Sequence, residues 1–262
     1  MGQPAAAGRH GETAQLEGLG SAALLRGLAA QDRAAVLDAG RTRRGARGRV
    51  LLSSRDDAAL IVLSGAAKEH QTLSEVEDVV LGLLAPGEVA GLSGVLGSPV
   101  AGAVTALAPT QALLLDGDEL RSLARSRPAV ARAWLQTVTE QLTTLRTQTL
   151  AFAASSVSER VVYRLVELAE RFGVPADGTV RIDAPLSQAE LASWARASRE
   201  SAARVLRELR DARIVATRRR TLTILDLEAL RHRQPHPRPY ATAAPAMIDL
   251  TVEAASDPAS AW

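Results

Sequence analysis

The sequence predicts an α+β fold in three parts. These are a small antiparallel β sandwich or barrel, one long helix, and a pair of short helices closed by a β-hairpin. Three observations predict it. Between Arg49 and Leu115 short apolar runs alternate with turn-forming residues. From Pro128 to about Ala154 no further Pro or Gly interrupts the chain. From Ser187 onward two helix-start signals are followed by two strand-like runs with a basic tip between them.

The chain has 262 residues, room for two ordinary domains. Apolar residues make up 47%, enough for a real core, and charged residues an ordinary 23%. There is no cysteine, which removes disulfides, iron–sulfur clusters, thiolate zinc sites and a cysteine nucleophile. The start, MGQPAAAGRHGE, has no apolar signal segment, and no run of about 18 apolar residues follows. A soluble cytoplasmic protein without a membrane partner is therefore expected. Lys68 is the only lysine.

Charge is unevenly spread. Between Asp56 and Glu119 Lys68 is the only basic residue apart from histidine, among acids that include Glu69, Glu75, Glu77, Asp78 and Glu88. From Leu186 to Arg233, 11 arginines face 6 acidic residues. A basic terminal domain suggests a polyanion partner; a solvated arginine-rich surface is the plain alternative.

In chain order, residues 1–15 are Ala/Gly-rich and expected to be disordered, and 16–125 form the β-rich domain. It opens with one or two short helices between Leu16 and Asp38. Strands are expected at 50–52, 59–63, 79–84 and 112–115, with turns such as Ser64-Gly65, Pro86-Gly87 and Asp116-Gly117 between them. Residues 126–154 form the long helix. Leu135, Val138, Leu142 and Leu145 recur at the spacing of a two-stranded seam, so the helix is expected to pair with a second copy. Packing on its own domain is the alternative. Thr and Gln crowd the same helix, as groups for a ligand, a second subunit or solvent.

A third domain, 155–233, starts with the hinge Ser155-Ser156-Val157-Ser158. A helix over 158–172 ends at Gly173 and Pro175, and a strand covers 179–183. Ser187 and Glu190 make an S-x-x-E capping box. Arg196-Ala197 breaks that helix, and Ser198 caps a second. This is the spacing of a helix-turn-helix. On the second helix Arg199, Glu200, Ala203, Arg204, Arg207 and Arg210 share one arc, and Ala202, Val205, Leu206 and Leu209 the opposite one. Arg donates in bidentate fashion to guanine, and Glu accepts from cytosine, so Arg199, Glu200 and Arg204 suit base reading. Ser187, Gln188, Ser198, Arg207 or Arg210, and the helix N-termini suit phosphates. Strands at 214–216 and 222–225 flank Arg218, Arg219 and Arg220, a basic wing tip that also suits phosphate. Residues 234–262 are Pro/Ala-rich and expected to be disordered.

LSQAELASWARASRESAARVLRELRDARIV followed by TLTILDLEAL resembles the Crp/Fnr family of bacterial transcription regulators. Its S-R-E-x-x-x-R motif matches Ser198, Arg199, Glu200 and Arg204. The resemblance implies an N-terminal antiparallel β-roll of the cyclic-nucleotide-binding type, with Gly65 and Pro86-Gly87-Glu88 at its turns. It also implies a dimer helix, a winged helix-turn-helix, and reading of a palindromic TGTGA-like site by a homodimer. RNA polymerase stands as a further candidate partner.

The sequence departs from the family where cyclic-nucleotide-responsive members hold ribose and cyclic phosphate. Those segments fall on Gly91-Leu92-Ser93 and near Val100-Ala101. No arginine lies between residues 56 and 120, and a phosphodiester in a pocket needs a cation or a nest of amides. The pocket thus reads as degenerate and cyclic AMP as an unlikely effector. A cyclic dinucleotide and a ligand-free regulator remain alternatives, with no other cofactor and no metal expected. Arg196 stands where the family usually has glycine.

Two rival classes stand beside this reading. Gly91-Leu92-Ser93-Gly94-Val95 approaches the nucleophile elbow G-x-S-x-G but lacks its last glycine and a histidine partner, so no catalytic residue is assigned. A basic domain that docks on an acidic protein, or binds DNA without sequence preference, is the other.

Overall fold

The computed structural model describes residues 22–74, 77–97, 102–182, 186–218 and 221–234. Val100, Ala101, Arg219, Arg220 and both segments expected to be disordered lie outside the described residues, except for Gln234.

After a 3-10 turn at Ala23–Leu25, helix α1 (Ala30–Asp38) leads into the β domain. Its strands are β1 (Gly40–Gly45), β2 (Val50–Ser53), β3 (Ala58–Ser64), β4 (Ala67–Ser74), β5 (Glu77–Leu84), β6 (Val89–Ala90), β7 (Ala103–Ala106) and β8 (Thr110–Asp116). A short helix, α2 (Leu92–Val95), follows β6. Two antiparallel four-stranded sheets result, ordered β1-β8-β3-β6 and β2-β7-β4-β5.

Strand β3 explains why residues 59–63 are apolar without alternation. Its Leu60 and Val62 enter the core between the sheets with Leu51, Leu52, Val104 and Leu114. Its Ala59, Ile61 and Leu63 point the other way, onto Trp134, Val130 and Leu120 of the helices outside. A strand covered on both faces has no polar side to show. Gly65 (φ 88°) and Gly87 (φ 87°) both occupy left-handed turns. A Cβ on Gly65 would collide with the Pro109 carbonyl.

Helix α3 (Gly117–Ser126) begins where the sequence showed only a turn. Asp116 caps it, accepting from the amides of Asp118 (3.0 Å) and Glu119 (3.2 Å). Helix α4 (Pro128–Ala153) is the long helix. Its first half buries Val130, Ala133 and Trp134 on the β domain, and Val138 packs beside them. Beyond that Leu135, Leu142, Leu145 and Leu150 are 64%, 53%, 56% and 57% exposed. Of the expected seam residues, Val138 is therefore half-buried on its own domain while the three leucines face outward. The threonine hydroxyls are already committed. Thr139, Thr143, Thr144, Thr147 and Thr149 each donate to the carbonyl four residues earlier, at 2.7–3.0 Å. Gln141 donates to the Val89 carbonyl at 2.7 Å, tying α4 to β6.

The third unit, called the reader after its expected role, comprises α5 (Val157–Phe172), β9 (Gly173–Ala176), β10 (Thr179–Ile182), α6 (Gln188–Trp194), α7 (Arg199–Asp211), β11 (Val215–Arg218), β12 (Thr221–Ile224) and α8 (Leu227–His232). Its sheet runs β11-β12-β10-β9. Val161, Leu165, Leu191, Trp194, Val205, Leu206, Leu209 and Ile214 fill its core. Ala66, Val80, Leu83 and Leu107 of the β domain belong to the same buried cluster. The reader therefore packs directly on the β domain.

Candidate nucleic-acid interface

Helix α6 starts as its sequence requires. The Ser187 hydroxyl accepts from the Glu190 amide at 3.2 Å, and the Glu190 carboxylate accepts from the Ser187 amide at 2.8 Å. Leu191, Ala192 and Trp194 anchor it in the core, leaving Ser187 and Gln188 exposed. The turn that follows places Arg196 at φ 50°, the left-handed conformation that glycine takes at least cost. Arg160 of α5 clamps this turn. It donates to the carbonyls of Ala195 (3.1 Å), Arg196 (3.0 Å) and, across the hinge, Ser155 (2.8 Å).

Helix α7 begins at the Ser198 cap, whose hydroxyl accepts from the Ser201 amide at 3.2 Å. Ala202, Val205, Leu206 and Leu209 are buried. Arg199, Glu200, Arg204 and Arg207 are exposed on the other side. Within the described residues these four make no ion pair or hydrogen bond through their side chains. An arc of unspent donors and one acceptor thus faces solvent. Arg210 is different: it donates to the Thr217 hydroxyl at 3.0 Å and so braces the wing instead of standing free.

The wing is the β11–β12 hairpin, paired from Val215↔Ile224 to Arg218↔Thr221. Its strands lie one residue further along than the first and start one residue before the second of those read from the sequence. Arg218 is exposed at its end. A cleft of about 220 Å³ between α6 and the wing is lined by five leucines and, at its polar side, by Ser187, Gln188, Thr217, Arg218 and Thr221. Three of the expected phosphate contacts therefore line one cleft, beside the capped N-terminus of α6.

A second set of residues was not legible in the sequence. Arg164 of α5 is 4% exposed and stacks over the rings of Trp194 (4.3 Å) and Phe152 (4.7 Å). It donates to the Trp194 carbonyl at 3.2 Å and to Glu167 at 2.6 Å. Burial lowers its pKa, opposed by Glu167. Phe152 lies at the end of α4 and Trp194 at the end of α6, so one guanidinium joins the long helix to the helix-turn-helix.

In the β domain, Gly91 (φ 82°) is the N-cap of α2. A Cβ there would sit 2.6 Å from the Ala58 carbonyl oxygen. Leu92 is buried in the core and Ser93 is exposed. Arg121, the first arginine after the pocket region, is taken up by Asp57 (2.6 Å), Asp118 (2.7 Å) and the Val95 carbonyl (2.9 Å). Glu69 pairs in register with Val104, next to the Ala67↔Ala106 pair, all three of which belong to the interior cluster. It therefore shares the inner face of β4, and burial raises its pKa. Among the described residues no group of three His, Asp or Glu side chains is placed to hold a metal ion. Among them, too, no helix is long and apolar enough to cross a membrane.

Comparison with known proteins agrees with this division. Residues 43–127 match the cyclic nucleotide-binding domain family, and residues 159–233 the Crp-like helix-turn-helix domain family. The chain is similar to the CRP-like cAMP-activated global transcriptional regulator of Mycobacterium tuberculosis, 25% identical over 178 residues, 68% of this chain and 80% of that one. It is 23% identical over 189 residues to the global nitrogen regulator of Synechococcus elongatus, 70% of this chain and 85% of the relative. Among solved structures, FixK2 of Bradyrhizobium japonicum superposes with a TM-score of 0.64 at 18% identity, covering 75% of this chain and 98% of that one. A CRP/FNR-family transcriptional regulator of Thermus thermophilus gives 0.63 at 21% identity, covering 74% and 97%.

Proposed function

The chain belongs to the Crp/Fnr family of transcription regulators, not enzymes, and on that premise we propose that it reads a palindromic, TGTGA-like DNA site as a homodimer, without control by cyclic AMP. The observation that carries this is the exposed arc of α7. Arg199, Glu200 and Arg204 have no partner within the described protein and stand over a fully buried apolar arc, beginning at a capped N-terminus. A recognition helix enters the major groove by its N-terminal residues, and these are the side chains that pair with guanine and cytosine edges. Ser187, Gln188, Ser198, Arg207 and Arg218 flank the arc and would hold phosphates; they fix register and carry no sequence information.

The dimer would form along α4, through Leu135, Leu142 and Leu145, which the fold leaves uncovered. Two copies of α7 would then lie in successive major grooves, about 34 Å apart. Independence from cyclic AMP is supported by the apolar filling between the sheets, by Glu69 on the inner face, and by the commitment of Arg121 elsewhere. Among the described residues Glu69 places a half-buried carboxylate on the inner face and no free cation stands beside it, so a cyclic phosphate finds no charged partner there.

The test is fluorescence anisotropy on a palindrome selected from a random duplex pool, at several salt concentrations. Arg199→Ala is expected to cost about 1–3 kcal/mol on the selected site and little on a scrambled one. Equal binding of the parent protein to both duplexes refutes base reading. Calorimetry against cyclic AMP, cyclic GMP and cyclic di-GMP tests the pocket, and tight cyclic AMP binding refutes that part.

A further inference from the structure

The cleft between α6 and the wing is apolar inside and basic at its mouth, and we propose that the chain's own segment 248–253 fills it and competes there with DNA phosphate. The contact stands on the cleft itself; only its effect on DNA rests on the reading above. Leu168 of α5, Leu191 of α6 and Leu206 of α7 are its most buried lining, at 1%, 5% and 3% exposed. Leu186 and Leu222 stand half-buried beside them. The space of about 220 Å³ equals the liquid volume of about seven waters. Water held against leucine is released at a gain when an apolar side chain takes its place. Arg218 is exposed in the lining, and its side chain makes no ion pair or hydrogen bond among the described residues. No acidic residue joins it among the described lining. The cleft thus suits an extended apolar strip with negative charge on its outer side.

The sequence carries one such strip. Residues 234–262 are otherwise rich in Pro and Ala, but at 248–253 Ile248, Leu250 and Val252 alternate with Asp249, Thr251 and Glu253. An extended chain turns alternate side chains to opposite faces, with about 6.6 Å between neighbours on one face. Three aliphatic side chains would then meet the leucines while two carboxylates face outward beside Arg218. No basic residue follows Arg238, so Asp249 and Glu253 have no cation near them in sequence. The strip also reaches. It follows helix α8, whose Arg231 donates at 3.1 Å to Glu170 of α5, two residues beyond Leu168. A Pro-rich stretch covers about 3.1 Å per residue, so the chain from Gln234 to Ile248 can span about 40 Å, more than the roughly 30 Å breadth of a unit this size. Tethering keeps the strip at about millimolar effective concentration, so a weak contact suffices.

At the mouth the strip and DNA exclude each other. Ser187, Gln188 and Arg218 belong both to the cleft and to the expected phosphate contacts. A bound strip covers them and sets two carboxylates where phosphate oxygens would lie. Arg199, Glu200 and Arg204 lie outside the lining and stay exposed. The strip therefore lowers affinity for any duplex and leaves the choice between sequences unchanged.

The contact is read first, in the full chain and without DNA. The chain has no cysteine, so Thr251→Cys can be paired with Thr221→Cys on the wing side of the mouth or with Gln188→Cys on the α6 side. A disulfide needs Cα atoms within about 7 Å. Mild oxidation should close a bridge inside one chain, and Leu250→Asp in the same protein should prevent it. No bridge from either side, a bridge that survives Leu250→Asp, or a bridge that joins two chains overturns the proposal; the last gives the cleft to a second copy. Affinity is read next, by anisotropy on the selected palindrome and on scrambled duplex at fixed salt. Leu250→Asp adds a negative charge, so plain electrostatics predicts weaker binding. An emptied cleft predicts about threefold tighter binding to both duplexes, as for a reader two-thirds occupied by its strip. Equal or weaker binding overturns the competition. Base reading is judged apart, by Arg199→Ala in the Leu250→Asp protein: an unchanged preference for the palindrome refutes base reading and leaves the strip standing.

Discussion

Replacing Arg164 tests how the long helix is joined to the reader. Its guanidinium lies 4.3 Å from the Trp194 ring and 4.7 Å from the Phe152 ring, in a site from which water is excluded. Two desolvated cation–π contacts contribute about 2 kcal/mol each. The charge-assisted bond to Glu167 adds about 1.5–3 kcal/mol. Desolvation of the guanidinium offsets several kcal/mol of this. Truncation to alanine also opens a cavity between the rings and leaves the Trp194 carbonyl without its donor. The net expectation for Arg164→Ala is a loss of about 3–5 kcal/mol from the reader's unfolding free energy. Arg164→Met keeps the stem between the rings, and Glu167 retains Arg171 as partner, so the loss should fall to about 1–2 kcal/mol. The assay is denaturant unfolding followed by Trp194 emission, with Trp134 and Trp262 replaced by Phe. An Arg164→Ala transition within about 0.5 kcal/mol of the parent's would refute the reasoning, since that is the range of surface changes.

Three further outcomes follow from the same geometry. Leu142→Glu with Leu145→Glu should convert a dimer to a monomer in light scattering, because burying each leucine contributes about 1.5–3 kcal/mol; a dimer that survives removes α4 as the seam. Arg196→Gly should stabilise the reader by about 0.5–1 kcal/mol by relieving a left-handed backbone, read as a higher Tm; an unchanged or lower Tm means the strain is absent. Glu69→Gln should raise Tm at pH 7. Burial raises the pKa of Glu69 in the folded state, so its contribution is intact below the unfolded carboxylate range and lost as pH rises through the raised value. The gain should disappear near pH 4, and a gain that is the same at both pH values refutes a buried carboxylate as its cause.

Local chemistry made the reader legible from sequence. The capping box at Ser187 and Glu190, the cap at Ser198 and the two arcs of α7 are all short-range features, and each has its predicted counterpart in the fold. The β domain was legible only where its strands are apolar on both faces. Strand β1, GRTRRG, shows no apolar pattern, because it lies at a sheet edge, pairs only with β8, and turns most of its side chains to solvent. Strand β9 reads as a helix stop because of Gly173 and Pro175, yet Pro175 sits on an edge strand, where a missing amide costs nothing. Helix α3 was hidden behind Asp116-Gly117, which signals a turn and a capped helix equally well. Lys68 and Glu190, paired at 2.8 Å, are 122 residues apart. No periodicity or spacing joins them, because their meeting depends on how two finished units dock.

The shared core has a consequence for the way the chain is made. Val80 and Leu83 are synthesised well before Leu191, Trp194 and Leu206, with which they are buried. Domains fold broadly in the order they leave the ribosome. The β domain is thus complete, with those side chains waiting on its surface, when the reader emerges and closes over them. The order of synthesis makes the earlier unit a template for seating the later one, and a reader cut free at Ser155 would begin life with an uncovered apolar patch where that template should be.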